Sequence, residues 1–309
     1  MQPKFRHPFK AVLAWVLCGF VLPACNQSAR TNQETPATMK APLAKKAAKK
    51  ISLHGQEWTD DYFWLRDKKN PDVVAHLEAE NAFTGATLKH TEDFQKKLYQ
   101  EMRGRIKEED TSVPTREGGY YYYTRTEKDR QYRIHCRKKG SLDAPEEVIL
   151  DENALAEGTK YFRLGNFETS PDQQLLAYST DKEGDETYAL YVKDLATGKL
   201  LPDVIPDTYY SLAWANDNRT FFYTTQDAAL RPYRLHRHRI GTDAKTDLMV
   251  YEEKDEMYTL SVNKSKTGDF IFLNLGSSLT SEVRYVKADQ PNAEFAVFQP
   301  RQPGVEYDV

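Results

Sequence analysis

From Thr115 to Asp289 the chain keeps returning to one pattern: a polar turn, a short strand rich in β-branched and aromatic residues, a second turn and another strand. TREGGYYYYTR (115–125) is followed by QYRIHCRKKG and EEVILDENAL. SPDQQLLAYSTD leads to TYALYVKDLATG, WANDNRTFFYTTQD to RPYRLHRHRIGT, and NKSKTGDFIFLNLGSS to SEVRYVKAD. Asp172 and Asp217 are 45 residues apart, and Asp217 and Asp269 are 52 apart. A period of about 40–50 residues with several strands per unit is the signature of a β-propeller. One blade cannot bury its own faces, so such a chain folds only by stacking each unit on the next. In this reading the strand after each polar turn, such as LLAYS, is the inner strand of its blade.

Composition agrees with a sheet protein large enough for a core. The 309 residues are 39% hydrophobic and 29% charged, and 19 of them are tyrosines, which favour pleated, half-buried surfaces. The net charge of −3 gives no basic field for nucleic acid.

The chain ahead of the repeats divides by composition. Residues 1–25 read as a signal peptide: Lys4, Arg6 and Lys10 precede an apolar run from Ala11 to Pro23, too short to span a bilayer. The run ends in Leu22-Pro23-Ala24-Cys25, which resembles a bacterial lipobox and marks Cys25 for lipidation; Pro23 is unusual there, and cleavage after Ala24 is the other reading. Either way the product is exported, periplasmic or anchored to a membrane through lipid alone. Residues 26–50 are poor in aliphatics and read as a disordered tether. Residues 51–110 read as a helical segment, starting at Asn70-Pro71 and divided at Gly85, with Phe94, Leu98, Met102 and Ile106 forming one apolar stripe. Residues 111–309 form the propeller part. Cys136 is left without an intramolecular partner, and no CxxC or CxxH spacing suggests zinc.

Several segments together resemble the oligopeptidase B branch of the prolyl oligopeptidase family of serine peptidases. They are DDYFWLRD (60–67), LEAENAFT (77–84), SVPTREGGYYYYTR (112–125), YFRLGNFETSPD (161–172), TSEVR (280–284) and FQPRQPGVEYDV (298–309). The resemblance implies a seven-bladed propeller that caps an α/β-hydrolase domain, admits peptides and excludes folded proteins. It also implies an endopeptidase cutting after Arg or Lys, with a Ser, Asp and His triad later in the sequence than the propeller. About four blade units are present, so the expectation is a mainly β chain: a short N-terminal helical segment and an incomplete propeller, with the hydrolase domain absent and the triad beyond Val309. The helical segment, with Tyr62, Phe63 and Trp64, would pack on that missing domain and be poorly buried against the propeller. A second reading is a stand-alone propeller lipoprotein that binds peptides or proteins as a scaffold.

The residues offer little chemistry of their own. No G-x-S-x-G elbow occurs; Gly276-Ser277-Ser278 lacks the second glycine, and Ser170 reads as a turn residue beside Pro171 and Asp172. His236 and His238 share one strand face and could hold a metal, but no third ligand is near, and an exposed strand face is the reading preferred. Arg231, Arg234, Arg237 and Arg239 suggest a phosphate patch that nothing else in the chain supports. His54 reads as structural or exposed. GDE (184–186) and YEEKDE (251–256) read as solvated faces that could attract cationic peptides. No P-loop and no GxGxxG occur, and no cofactor is expected.

Overall fold

The computed structural model describes residues 40–309, which fall into two units divided after Arg103; the signal segment with Cys25 and most of the tether lie outside the described residues. In the first unit, β1 (Lys49–Leu53) and β2 (Gln56–Asp60) form a hairpin. Its turn is His54-Gly55, both at positive φ (52° and 76°), so His54 is an exposed turn residue. The hairpin corrects two expectations. The tether does not run to residue 50, because Lys45 pairs with Asp72, Lys46 with Asp61, and Lys49 enters β1. Nor is the segment after residue 50 purely helical.

Helix α1 (Pro71–Leu88) starts where Asn70 accepts the N–H of Asp72 and Pro71 takes the first turn, and α2 (Glu92–Arg103) follows. The break falls at Lys89–Thr91 and not at Gly85, which stays helical; one glycine costs a helix only about 1 kcal/mol. The stripe is unpartnered: Phe94 is 65% exposed, Leu98 41%, Met102 53%, and Ile106, just past the unit boundary, 66%. Among the described residues no helix is long and apolar enough to cross a membrane.

The second unit is four antiparallel blades in sequence order. The first is β3 (Thr115–Glu117), β4 (Tyr120–Arg125), β5 (Ile134–Lys139) and β6 (Glu146–Asp151), closed by the short α3 (Glu152–Ala156). The second is β7 (Arg163–Thr169), β8 (Leu175–Asp181), β9 (Tyr188–Asp194) and the first half of β10 (Leu200–Trp214). The second half of β10 starts the third blade, continued by β11 (Thr220–Gln226), β12 (Pro232–Arg239) and β13 (Leu248–Glu252). The fourth is β14 (Thr259–Lys264), β15 (Phe270–Gly276), β16 (Ser281–Lys287) and β17 (Ala296–Gln299). Strand β10 changes blade around Thr208, where its pairing shifts from β9 to β11, so blades two and three share one seven-stranded sheet.

The innermost strand of each blade precedes the polar turn, so LLAYS is a second strand and not an inner one. Inner strand β7, RLGNFET, escaped notice because its half-exposed edge does not need alternating apolar residues. The cores lie between blades. Alternate residues of β11 face opposite neighbours: Phe221 joins Leu190, Val192 and Trp214 toward blade two, while Phe222 joins Leu260, Ile271 and Leu273 toward blade four.

Gly165 marks the tightest approach in β7. A Cβ there would stand 2.6 Å from both the Ser179 hydroxyl and the Tyr188 ring, and both residues are buried. Gly165→Ala is therefore expected to destabilise the fold by about 1–3 kcal/mol, read as a lower urea midpoint. An unchanged midpoint would show that this edge of the blade yields freely.

Candidate functional site

Hydrogen bonds between turns tie the inner rim of the propeller together. Tyr122 and Arg137 of blade one reach the blade-two turn: Tyr122 donates to the Gln173 side chain, and the buried Arg137 donates to the Gln173 carbonyl at 2.7 Å. Asn218 of blade three accepts the Asp172 N–H at 2.9 Å. Asn216 donates to the Gly268 carbonyl of blade four at 3.1 Å and accepts from Lys264. The inner strands are joined directly as well. The Trp214 indole donates to the Glu168 carbonyl at 3.0 Å, and Ser211 exchanges two bonds with the Val262 backbone.

Three charged groups end the inner strands at this rim: Glu117 on β3, Glu168 on β7 and Lys264 on β14. Water reaches Glu168, yet crowding by protein pushes its carboxyl up to about 7; the Glu117 charge adds to the rise and the Lys264 charge opposes it. Burial also lowers the proton affinity of Lys264, against the pull of Glu117 and Glu168. This rim can attract and orient a cationic group. Sequence reading missed Glu117, Glu168 and Lys264 because 147 residues separate the first from the last and only blade stacking brings them to one edge.

The histidine pair belongs elsewhere. His238 is fully buried, which corrects the exposed-face expectation. Its Nδ1 bonds Asp247 at 2.8 Å and its Nε2 bonds Asp203 at 3.0 Å, so both ring nitrogens are taken. His236 stacks on Tyr223 and bonds Thr225. Among the described residues no group of His, Cys, Asp and Glu could hold a metal ion, and no histidine bonds a serine hydroxyl. Ser170 bonds Asp172 at 2.6 Å and accepts the Leu175 N–H, a turn role. Ser277 bonds the Thr280 carbonyl within its own turn.

The acidic clusters divide. In GDE, Gly184 and Glu186 donate backbone N–H groups to Asp181, while the Glu186 side chain stays in water beside Arg163. YEEKDE is not simply solvated, because Glu253 is buried: it accepts from Arg301 at 2.7 Å and from Tyr251 at 3.1 Å. Arg301 also bonds the buried Glu282, which pins the chain after β17 to blades three and four. The arginine series divides too. Arg231 is held by Asp227 and the Tyr258 carbonyl, and Arg234 by Glu252. Tyr62 is exposed, and Trp64 is half-buried within its own unit, donating to the Lys45 carbonyl at 2.9 Å.

Comparison with known proteins gives one consistent picture. The family model described as prolyl oligopeptidase, N-terminal β-propeller domain, matches residues 42–309. Protease 2 of Moraxella lacunata is 37% identical over 278 residues, covering 88% of this chain and 40% of that protein. Dipeptidyl aminopeptidase BI of Pseudoxanthomonas mexicana is 38% identical over 285 residues, covering 86% and 39%. Among solved structures, oligopeptidase B from Leishmania major superposes with a TM-score of 0.82 at 28% identity, over 88% of this chain and 41% of that one. Oligopeptidase B from Trypanosoma brucei, in a closed form with covalently bound antipain, gives 0.80 at 29% identity, over 87% and 41%. The chain thus spans about two fifths of the length of the curated relatives it matches.

Proposed function

Because the chain belongs to the prolyl oligopeptidase family, as its N-terminal β-propeller domain, we propose that it is the substrate-gating part of an exported serine peptidase of oligopeptidase B type. The observation that carries this reading is the rim of inner strands, where the two carboxylates Glu117 and Glu168 face the cation Lys264 at the strand ends. A cationic peptide gains there by long-range attraction, while turns cross-linked from blade to blade resist spreading to admit a folded protein. Hydrolysis after Arg or Lys belongs in this reading to a triad on an α/β-hydrolase domain of the same polypeptide. The apolar stripe of α2 supplies a surface for that domain. Export rests on the signal segment, and lipidation of Cys25 would hold the enzyme at a membrane by lipid alone.

Residues 1–309 alone are expected not to cleave Arg- or Lys-containing chromogenic peptides. Cleavage by this chain that a serine-directed inhibitor abolishes would overturn the assignment. The gene beyond codon 309 gives the complementary test. A G-x-S-x-G followed by Asp and His supports the peptidase, whereas a stop codon with a stable soluble product supports a binding module.

A further inference from the structure

The apolar packing between blades three and four gives way, at the far ends of β11 and β12, to a polar cleft of about 590 Å³. Phe222 and Leu235 fill the interface further in. Arg237 and Arg239 lie two apart on β12 and so share a strand face; Arg239 is paired with Thr220 on β11, and Arg219 immediately precedes that residue. All three arginines line the cleft, which Asn292 of the fourth blade closes on the other side. Arg237 spends one Nη1–H on the Pro291 carbonyl at 2.9 Å. The guanidinium groups of Arg219 and Arg239 have no hydrogen-bond or ion-pair partner among the described residues.

The two carboxylates in the lining answer only part of this charge: Asp217 attracts Arg239 across the cleft without a direct bond, and Asp247 is shared with His238. Asp217 accepts the N–H groups of Arg219 and Thr220 at 3.0 and 2.8 Å and the Thr220 hydroxyl at 2.7 Å. Asp247 holds His238 and the Tyr223 hydroxyl. Three guanidinium groups therefore line one cleft against two carboxylates, and those of Arg219 and Arg239 keep their N–H forks unbonded, in a chain whose net charge is −3. Planar forks of this kind match phosphate oxygens two at a time. The volume is within the range of small-ligand sites, and Leu248 is the one apolar residue in the lining, which leaves nothing for an acyl chain.

We propose that this cleft is a binding site for a soluble phosphoanion, held by Arg219, Arg237 and Arg239 and bridging blades three and four. Pyrophosphate and inorganic phosphate are the probes, titrated calorimetrically into residues 1–309 with ionic strength held constant by sodium chloride. Saturable binding is expected, weakened at least tenfold in Arg239→Gln and in Arg219→Gln. Both side chains are exposed, so neither change disturbs the core, and far-UV circular dichroism checks this. Arg116→Gln, an exposed arginine outside the cleft, is expected to bind like the parent. Absence of saturable binding, or equal weakening in Arg116→Gln, would overturn the site. Cosedimentation with phosphatidic-acid vesicles, lost in the Arg219 and Arg239 variants, would overturn the soluble assignment in favour of a lipid headgroup.

Discussion

His238→Ala is expected to lower stability by about 3–5 kcal/mol, because removing the central member of a buried ionic group strands the others. Asp203 and Asp247, both buried at the carboxylate, hold the ring from opposite sides, and the Asp203 oxygen that bonds the ring also accepts the Gly241 N–H at 2.6 Å. Phe221 packs on the ring at 5.0 Å and offers the carboxylates nothing polar in exchange. Burial alone would drive protons off His238, but the hydrogen bonds and charges of Asp247 and Asp203 outweigh it and raise its proton affinity above the usual value of 6.5. The sign of the pH dependence follows. A histidine whose folded value is raised contributes stability that is complete below its unfolded value near 6.5 and fades as pH climbs through the folded value. The gap between parent and His238→Ala, measured by urea denaturation, should therefore be widest near pH 6 and narrower at pH 9. An equal gap at both pH values would mean that His238 is neutral throughout and that the ring acts by packing alone.

The same residue shows where sequence reading stops. The period of the repeats, the strand–turn chemistry and the strand face shared by His236 and His238 were all readable, because each depends on residues close together in the chain. Whether that face met water or another blade was not. His238 takes its partners from residues 203 and 247, in the blade-two half of β10 and the loop before β13, and no local pattern joins those positions. Glu253 misled for the same reason: in YEEKDE it looks like one charge among several, and only Arg301, 48 residues later, makes it a buried anchor. The four blades were visible as units, but their inner strands were not, since an edge strand around a central axis is freed from the apolar alternation that reveals the others. Gly85 shows the reverse error, a local signal trusted too far, because the helix continues through it at modest cost.

Phe222→Ala and Phe272→Ala should separate by several kcal/mol, although both remove one aromatic ring from the second strand of a blade. Phe222 is fully buried between blades three and four and meets Phe295 edge-on at 5.3 Å, so its loss is expected to cost about 3–5 kcal/mol. Phe272 lies on the opposite face of β15 from Ile271, Leu273 and Leu275, which are the residues that pack against blade three. Its own face carries a half-open run of rings: Phe270 beside Phe272 at 6.3 Å, Phe270 against Tyr285 at 5.8 Å and Tyr285 against Phe298 at 6.3 Å. In residues 1–309 the Phe272 substitution is expected to cost no more than about 1 kcal/mol, since little apolar surface returns to water. In a longer polypeptide whose next blade stacks on β15, the identical change should cost as much as Phe222→Ala. Paired urea denaturation curves for the two lengths decide it. A cost that rises with length shows that blades stabilise one another in series and that the fourth face awaits its neighbour. A full cost already present in the shorter chain would mean that something else covers these rings, and a dilution series would then ask whether it is a second copy.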